Sequence, residues 1–215
     1  ETVHQGQDAL DRYLQLRKKM LDVPALHMYD LYVPLVRLPE RKYTFEEGRD
    51  IVLEALKPLG EAYVRDLSAA FRDGWIDVYE NEGKRGGAYS CGTPVHPFVL
   101  LNHNDTLDSA FTLVHEMGHA IHSYLSTKTQ SPAYADYVIF VAEVASTFNE
   151  SLLMRYLLGK TTDKKEKAYL INHFLEQFRT TLYRQTMFAE FELAMGEMQK
   201  RSETLTAEAL CEKYR

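Results

Sequence analysis

The sequence predicts a mainly α-helical α+β fold, in which long helices accompany one small β-sheet. Apolar residues recur at helical spacing in several long runs, and three short segments between these runs have the alternation and residue types of strands. With 215 residues, of which 45% are hydrophobic and 12% aromatic, the chain can form a packed core. Because no repeat or low-complexity linker divides it, we expect a single unit over residues 1–215.

Three helices are predicted in the first third of the chain. The first ends ahead of Pro24, a Thr-x-x-Glu capping box opens the second, and a proline suits the first turn of the third. Residues 24–43, with three prolines, are typical of an irregular connection. The predicted helical ranges are 7–21, 45–56 and 58–72.

A small sheet is predicted to follow directly. Its three strands are rich in β-branched and aromatic residues, and residues 81–87 form a turn-rich connection whose end carries little side-chain bulk. The predicted strands are Trp75–Tyr79, Ala88–Cys91 and Pro97–Asn102.

The remaining chain is predicted to be helical. Asn104-Asp105-Thr106 supplies the start of one helix, Gly159 ends the next, and Asp163 caps a long aromatic one. The predicted ranges are 107–126, 137–158 and 163–200, with a final helix from Thr206.

The helix predicted over 107–126 contains His115-Glu116-Met117-Gly118-His119. Residues four apart share a helix face, so both imidazoles can reach one cation at Zn–N distances of about 2 Å. Glu116 lies about 80° around the helix from the midpoint of the two histidines, beside the cation, where it suits a general base. Since so short a motif also arises by chance, a third metal ligand is needed before the motif can be interpreted as a metal site.

Glu143 is the candidate third ligand. It follows His115 by 28 residues, which allows the chain to turn back onto a second helix, and it shares a face with Ser146 and Glu150. Small residues on both helices, including Gly118, permit close approach. The alternative is that the two helices simply pack together and Glu143 is an ordinary surface carboxylate. The presence of the histidine pair favours Glu143 as a metal ligand. We therefore expect one Zn²⁺ per chain, held by His115, His119 and Glu143.

Three further residues are expected to surround the ligands. His122 shares their face, yet its rise of about 10 Å from His115 prevents all three histidines from binding one ion. Ser146 and Glu150 lie on the ligand face of the second helix. Asp108 lies on the same stripe and could hydrogen-bond a ligand imidazole, although a favourable charge at the helix N-terminus explains it better.

Composition excludes several classes of partner. The net charge of −6 and the absence of a contiguous basic patch argue against nucleic acid. No apolar run approaches the 18 or so residues of a membrane span, and no signal-peptide pattern is present, so we expect a cytoplasmic protein. Cys91 and Cys211 are far apart and are interpreted as reduced thiols.

The chain resembles the thimet oligopeptidase and oligoendopeptidase F family of zinc metallopeptidases. The segments that carry this resemblance are Gly87-Ala88-Tyr89-Ser90, Leu100-Leu101-Asn102, residues 113–120, the Glu143-x-x-Ser146-x-x-x-Glu150 pattern and residues 183–192. The resemblance implies that the His pair and Glu143 bind zinc, that Glu116 is the base, and that a helical, zincin-like enclosure admits short peptides.

One departure from the family pattern concerns a His- and Tyr-rich segment downstream of the long aromatic helix, which in the family binds substrate and stabilises the oxyanion. The present chain ends before such a segment, begins without Met and stops inside a helix-like pattern. We therefore expect a partial catalytic domain, without the family's N-terminal lobe.

The function predicted from these residues is zinc-dependent hydrolysis of peptide bonds in short peptides. We expect an extended peptide to add to the strand edge at Gly86, Gly87, Ala88 and Tyr89; the alternative is that the two glycines merely form a turn. Two other readings of the motif remain open. A carboxylate-bridged di-metal bundle would use Glu116-x-x-His119 as one half-site and needs a second Glu-x-x-His on another long helix, and a non-catalytic helical module needs the motif to be accidental.

Overall fold

The computed structural model describes residues 1–36 and 41–214. Most of them are helical, and three short strands form one sheet, as the sequence predicts. The helices are α1 (Thr2–Gln5), α2 (Gln7–Leu21), α3 (Phe45–Ala55), α4 (Glu61–Arg72), α5 (Leu107–Thr129), α6 (Ile139–Lys160), α7 (Lys164–Phe178), α8 (Arg184–Lys200) and α9 (Ala207–Tyr214). The strands are β1 (Ile76–Asp77), β2 (Tyr89–Cys91) and β3 (Phe98–Leu100).

Two compact units are distinguished by their internal packing. One consists of the described residues of 39–162, and the other of those in 1–38 and 163–215. The prediction of a single unit over the whole chain stays a prediction. Within the described residues, no helix combines the length and the apolar character required to cross a membrane.

In the unit formed by residues 39–162, α5 and α6 pack against each other. The core of this unit includes Leu113, Met117 and Ile121 of α5 and Leu153 of α6, all of them fully buried. The apolar residues that recur at helical spacing in the sequence therefore face the interior. The motif residues lie on this pair of long helices.

The sheet has the strand order β1-β3-β2. β3 pairs in parallel with β1 and antiparallel with β2, where Ser90 lies opposite Val99. β2 is therefore an edge strand, and only one of its sides is paired within the sheet. This edge precedes α5 in the chain, as predicted.

In the other unit, a polar cluster ties α2 to α7. The buried Arg17 guanidinium lies 3.0 Å from the Glu176 carboxylate and also donates to the Asp30 carbonyl oxygen. Tyr13 donates a short hydrogen bond to Glu176, and Arg179 forms a second ion pair with it at 2.5 Å. Burial, together with the Glu176 carboxylate, raises the pKa of Tyr13 to about 12.

The starts of α3 and α5 were predicted correctly. Thr44 and Glu47 form the predicted capping box, with each side chain bonded to the other's backbone N–H. At the start of α5, the Thr106 hydroxyl accepts from the Ser109 N–H. Both boundaries follow from local hydrogen bonds that the sequence itself specifies.

Several other predicted boundaries were wrong. Gly159 lies inside α6, which continues to Lys160. Pro58 belongs to a 3₁₀ turn over Lys57–Leu59, so α4 begins only at Glu61. The long aromatic helix is interrupted by a π-helical segment over Arg179–Tyr183. All three strands are shorter than predicted, and residues 37–40 of the predicted irregular connection lie outside the described part of the chain.

Candidate metal centre

The two motif histidines meet on one face of α5. His115 Nε2 lies 3.1 Å from His119 Nε2, and the two rings are nearly perpendicular. This is the arrangement expected for residues four apart on a helix. Both ring nitrogens point to the same small volume.

Helix α6 brings the Glu143 carboxylate to the same volume. Its Oε2 atom lies 3.3 Å from His115 Nε2 and 3.5 Å from His119 Nε2. Ligands about 2.0–2.1 Å from a tetrahedral zinc ion are about 3.3–3.4 Å apart, which matches these separations. Among the described residues, these three form the one group of His, Cys, Asp or Glu side chains able to share a metal ion.

Each histidine is oriented through its other ring nitrogen. Glu150 of α6 makes a short hydrogen bond to His115 Nδ1, and the Ala142 carbonyl oxygen accepts from His119. With a proton held at Nδ1, Nε2 keeps its lone pair for a metal ion. Helix α6 thus supplies the carboxylate of this three-residue group and orients both imidazoles.

Ser146 lies at the contact between α5 and α6 and also hydrogen-bonds the Glu143 carboxylate. Its fully buried hydroxyl lies 2.8 Å from Glu143 Oε2 and 3.0 Å from the Glu143 carbonyl oxygen. The Ser146 backbone lies directly against Gly118 of α5. Asn149 completes the contact, because its side-chain amide donates to Tyr63 Oη and lies 3.5 Å from the Val114 carbonyl oxygen.

Glu116 lies beside this group and is only 6% exposed. Its Oε2 atom is buried and has no hydrogen-bond partner. Burial raises the pKa of Glu116 to about 7, since the repulsion from Glu143 and Glu150 adds to desolvation and only His115 opposes them. A carboxyl group with such a pKa can both accept and release a proton near neutrality.

The two histidines differ in their proton affinity. Burial lowers the pKa of His115, but the hydrogen bond and charge of Glu150 outweigh it and leave the pKa raised. For His119, burial and the neighbouring His115 lower the pKa. The lower pKa of His119 favours the neutral imidazole, which is the form that binds a metal ion.

The structure places His122 one turn beyond the histidine pair. Its ring stacks on Tyr137 with a centroid distance of 3.9 Å, and burial lowers its pKa. The Tyr137 hydroxyl lies 2.8 Å from Ser123 Oγ and fixes this stack. His122 is not part of the group able to share a metal ion, and its role beside the ligands stays a prediction.

The predicted substrate edge begins later than expected. β2 starts at Tyr89, while Gly86, Gly87 and Ala88 precede it. Gly87 has φ of +87°, a conformation that side chains disfavour, and nothing lies within 4 Å of a Cβ built at Gly86 or Gly87. Asn102 restrains the segment ahead of β2 by donating to the carbonyl oxygens of Arg85 and Gly87.

Two parts of the site were missed by sequence reasoning. The Ala142 carbonyl carries no side-chain signal, so its position against His119 follows only from the packing of α6 on α5. Asn149 lies on the predicted helix, but an Asn within a helix does not indicate which residues of other helices it will contact.

Comparison with known proteins shows the family to which the chain belongs. The family model described as Peptidase family M3 matches residues 1–215, and the chain belongs to that family. It is 48% identical over its full length to oligopeptidase PepF of Bacillus subtilis, of which it covers 32%. It is 47% identical to the chromosomal oligoendopeptidase F of Lactococcus lactis subsp. cremoris, of which it covers 36%.

A solved structure shares the fold. The crystal structure of oligoendopeptidase F from Enterococcus faecium matches 99% of this chain with a TM-score of 0.65 and 36% identity, and the match covers 30% of that protein. The present chain therefore spans about a third of the length of these relatives.

Proposed function

We propose that this protein hydrolyses peptide bonds in short peptides as a zinc-dependent oligopeptidase. The observation that carries the proposal is the placement of Glu116, buried and without a partner at Oε2, beside three ligand atoms that are 3.1–3.5 Å apart. Two histidines and one glutamate are a donor set that catalytic zinc sites use.

The residues that would hold the metal are His115, His119 and Glu143. Imidazole nitrogens and one carboxylate oxygen suit zinc, and their separations fit its tetrahedral geometry. The chemistry that a bound zinc ion supplies is polarisation of the peptide carbonyl and acidification of water. Ser146 and Glu150 restrain the ligands and so fix the geometry in which this chemistry takes place.

Glu116 supplies the proton transfers. Its carboxylate accepts a proton from the water that attacks the peptide carbonyl, and the protonated Glu116 then donates that proton to the leaving amine nitrogen. The buried Oε2 atom of Glu116 has no hydrogen-bond partner in the protein, so it is free to receive that proton. Positioned acid–base catalysis of this kind contributes about 10²–10⁴-fold in rate.

The edge of β2 offers a place for the peptide main chain. One side of this strand is unpaired within the sheet, and Gly92, the residue that follows β2, lies so close to α5 that an added Cβ would be 2.9 Å from Ser123 Cβ. An extended peptide added to this edge would run beside the metal helix. Restriction to short peptides is what the resemblance to oligopeptidases implies for the full-length protein.

The di-metal bundle is the second candidate considered. It requires four carboxylates and two histidines around two ions. The described residues offer a single three-residue group able to share a metal ion, which supports one ion rather than two.

Zinc analysis combined with a peptide assay tests the proposal. Purified protein should contain one zinc ion per chain, and hydrolysis of an internally quenched short peptide should disappear on chelation and return with added zinc. A protein that holds two irons, or that keeps its full activity after chelation has removed the metal, contradicts the proposal.

A further inference from the structure

Four large apolar side chains lie exposed immediately ahead of Glu143, the proposed third ligand. They are Tyr134, Val138, Ile139 and Phe140, and we call them the apolar strip. Their exposed fractions run from 69% to 88%, and those of Ile139 and Phe140 are the largest among the big apolar residues in the described part of the chain. Apolar surface concentrated in this way is typical of a place where a ligand or another chain binds.

Contacts with α5 hold the segment that carries the strip. The Ser126 hydroxyl donates to the Ala135 carbonyl oxygen over 2.5 Å, and the Tyr137 hydroxyl lies 2.8 Å from Ser123 Oγ. Tyr137 also stacks on His122. The exposed side chains therefore belong to a segment that is attached to the metal helix at several points, and a ligand that binds there has little backbone left to order.

Ile139 and Phe140 flank the Glu143 side chain on α6. They precede Glu143 by four and three residues, and residues at these spacings are neighbours on a helix surface, with Cβ atoms about 5–6 Å apart. Because side chains of a helix lean towards its N-terminus, Glu143 extends over the turn that begins with Ile139. The apolar strip is therefore adjacent to the group able to share a metal ion.

The metal centre is open to solvent on this same side. The exposed fraction of the side chain is 58% for Glu143 but only 26% for His115 and 16% for His119. A peptide carbonyl that approaches the three ligand atoms therefore arrives past Glu143. The peptide residues next to that carbonyl then pass over Ile139 and Phe140.

The segment that carries the strip and the segment that ends β2 meet at one residue of α5. Ser123 lies so close to Gly92, which follows β2, that a Cβ added there would be 2.9 Å from Ser123 Cβ. The same serine contacts the Tyr137 hydroxyl. A peptide whose main chain follows the β2 edge therefore has the apolar strip within reach of its side chains.

We propose that the apolar strip is a specificity site for a large apolar substrate side chain, such as leucine, next to the cleaved bond. The inference rests on the proposed peptidase function. A leucine placed against Ile139 and Phe140 removes apolar surface of both partners from water, which favours binding in proportion to the area buried. Asparagine has nearly the same shape, but its amide loses hydrogen bonds to water against such a surface.

Two quenched peptides that differ in a single residue, Leu or Asn, test this site. Their other residues are Gly and Ala, and mass spectrometry locates the cleaved bond. We compare kcat/KM for the wild-type protein, a double variant that combines Ile139→Ala and Phe140→Ala, and the control Phe148→Ala. Phe148 is also exposed on α6, but it lies about 140° around the helix from Glu143.

The wild-type protein should cleave a bond formed by the Leu residue and prefer the Leu peptide by about 10-fold or more. In the double variant this ratio should fall below about 3-fold, with zinc content unchanged because neither residue is a ligand. Alanine preserves the helix, since it has the highest helix propensity. Phe148→Ala should retain the wild-type ratio.

Wild-type protein that cleaves both peptides at equal rates overturns the specificity site and leaves the peptidase function standing. A ratio that falls equally in Phe148→Ala, or that persists in the double variant, also overturns it. In the latter case, a change from dimer to monomer identifies the strip as a contact between copies, and a loss of thermal stability identifies it as packing within the protein. If no form cleaves any peptide, the proposed function fails, and the specificity site with it.

Discussion

A Cβ atom at Gly118 of α5 would lie only 2.6 Å from the Ser146 Cα atom of α6. The next nearest atoms, at 2.9 and 3.0 Å, also belong to the α6 backbone, which cannot rotate away as a side chain would. Gly118 lies between the two motif histidines and His119 follows it directly, whereas Ser146 bonds the Glu143 carboxylate. The separation between these two residues therefore sets the distance between the histidines and the third ligand.

Replacing Gly118 by Ala should push α5 and α6 apart. We expect the free energy of unfolding to fall by about 1–3 kcal/mol, as for other overpacked contacts, and zinc affinity to fall because Glu143 moves away from the histidines. Thermal unfolding and zinc titration measure the two effects. Gly159→Ala is the control, since nothing lies within 4 Å of its added Cβ inside α6, and it should be neutral or slightly stabilising. Normal zinc affinity in Gly118→Ala would contradict this account.

The two carboxylates of α6 should differ in their effect on zinc. Glu143→Ala leaves two protein ligands, so zinc affinity should fall by several orders of magnitude. Glu150→Ala keeps His115, His119 and Glu143 and removes the partner of His115 Nδ1, so the loss should be about 10–100-fold. Competition with a chromophoric chelator measures both. A greater loss of zinc affinity in Glu150→Ala than in Glu143→Ala would show that Glu143 is not the third ligand.

Gly87→Val should impair peptide hydrolysis without loss of zinc. The β-branched side chain crowds the approach to the β2 edge, and the positive φ at Gly87 adds backbone strain of about 1–3 kcal/mol. Gly83→Val is the matched control, because Gly83 has φ of +80° and equally open surroundings but precedes the predicted edge. Both variants should lose stability, whereas only Gly87→Val should lower kcat/KM. Equal kcat/KM in the two variants would place the substrate elsewhere.

The Glu176 cluster should stabilise its unit in a pH-dependent way. Burial raises the pKa of Glu176, but hydrogen bonds from Arg179 and Tyr13 and the charges of Arg179 and Arg17 outweigh it and hold the pKa below the ordinary value of 4.5. Since the pKa is lower in the folded protein, the ionised carboxylate stabilises the fold above pH 4.5, and this contribution is lost as the pH falls through the folded-state value.

Glu176→Gln should therefore lower the free energy of unfolding at pH 7 by about 1–3 kcal/mol, as for hydrogen bonds to charged groups. The difference from wild type should shrink when urea unfolding is repeated at progressively lower pH below 4.5. Glu192 is exposed, so the control Glu192→Gln should change the free energy of unfolding little at pH 7 or at the lower pH values. A deficit that stays constant down to acidic pH would rule out ionisation as its cause.

The features that sequence reasoning predicted well are those specified by residues close in the chain. The capping box at Thr44 and the pairing of His115 with His119 each depend on spacings of three or four residues within one helix. Glu143 was harder, since it needed an assumption about how two helices meet. Gly118 and the small residues of α6 supported that assumption, because they limit how the helices can pack.

The features that were missed depend on tertiary contacts. Gly159 resembles a helix end, yet its preference was too weak to stop α6 before Lys160. No local pattern marks the π-helical segment that begins at Arg179, a residue held by Glu176 and buried in the same cluster. The positive φ at Gly87 and the Ala142 carbonyl at His119 likewise follow from the assembled structure.

The central claim is that His115, His119 and Glu143 hold zinc while Glu116 moves the proton. The most direct measurement determines zinc content and peptide hydrolysis on one preparation of Glu116→Gln. Gln has nearly the same shape as Glu and is not a ligand, so the variant should keep one zinc ion per chain. It cannot take a proton from water, so kcat should fall by at least about 10²-fold. Loss of zinc in proportion to activity, or hydrolysis at the wild-type rate, would contradict the account.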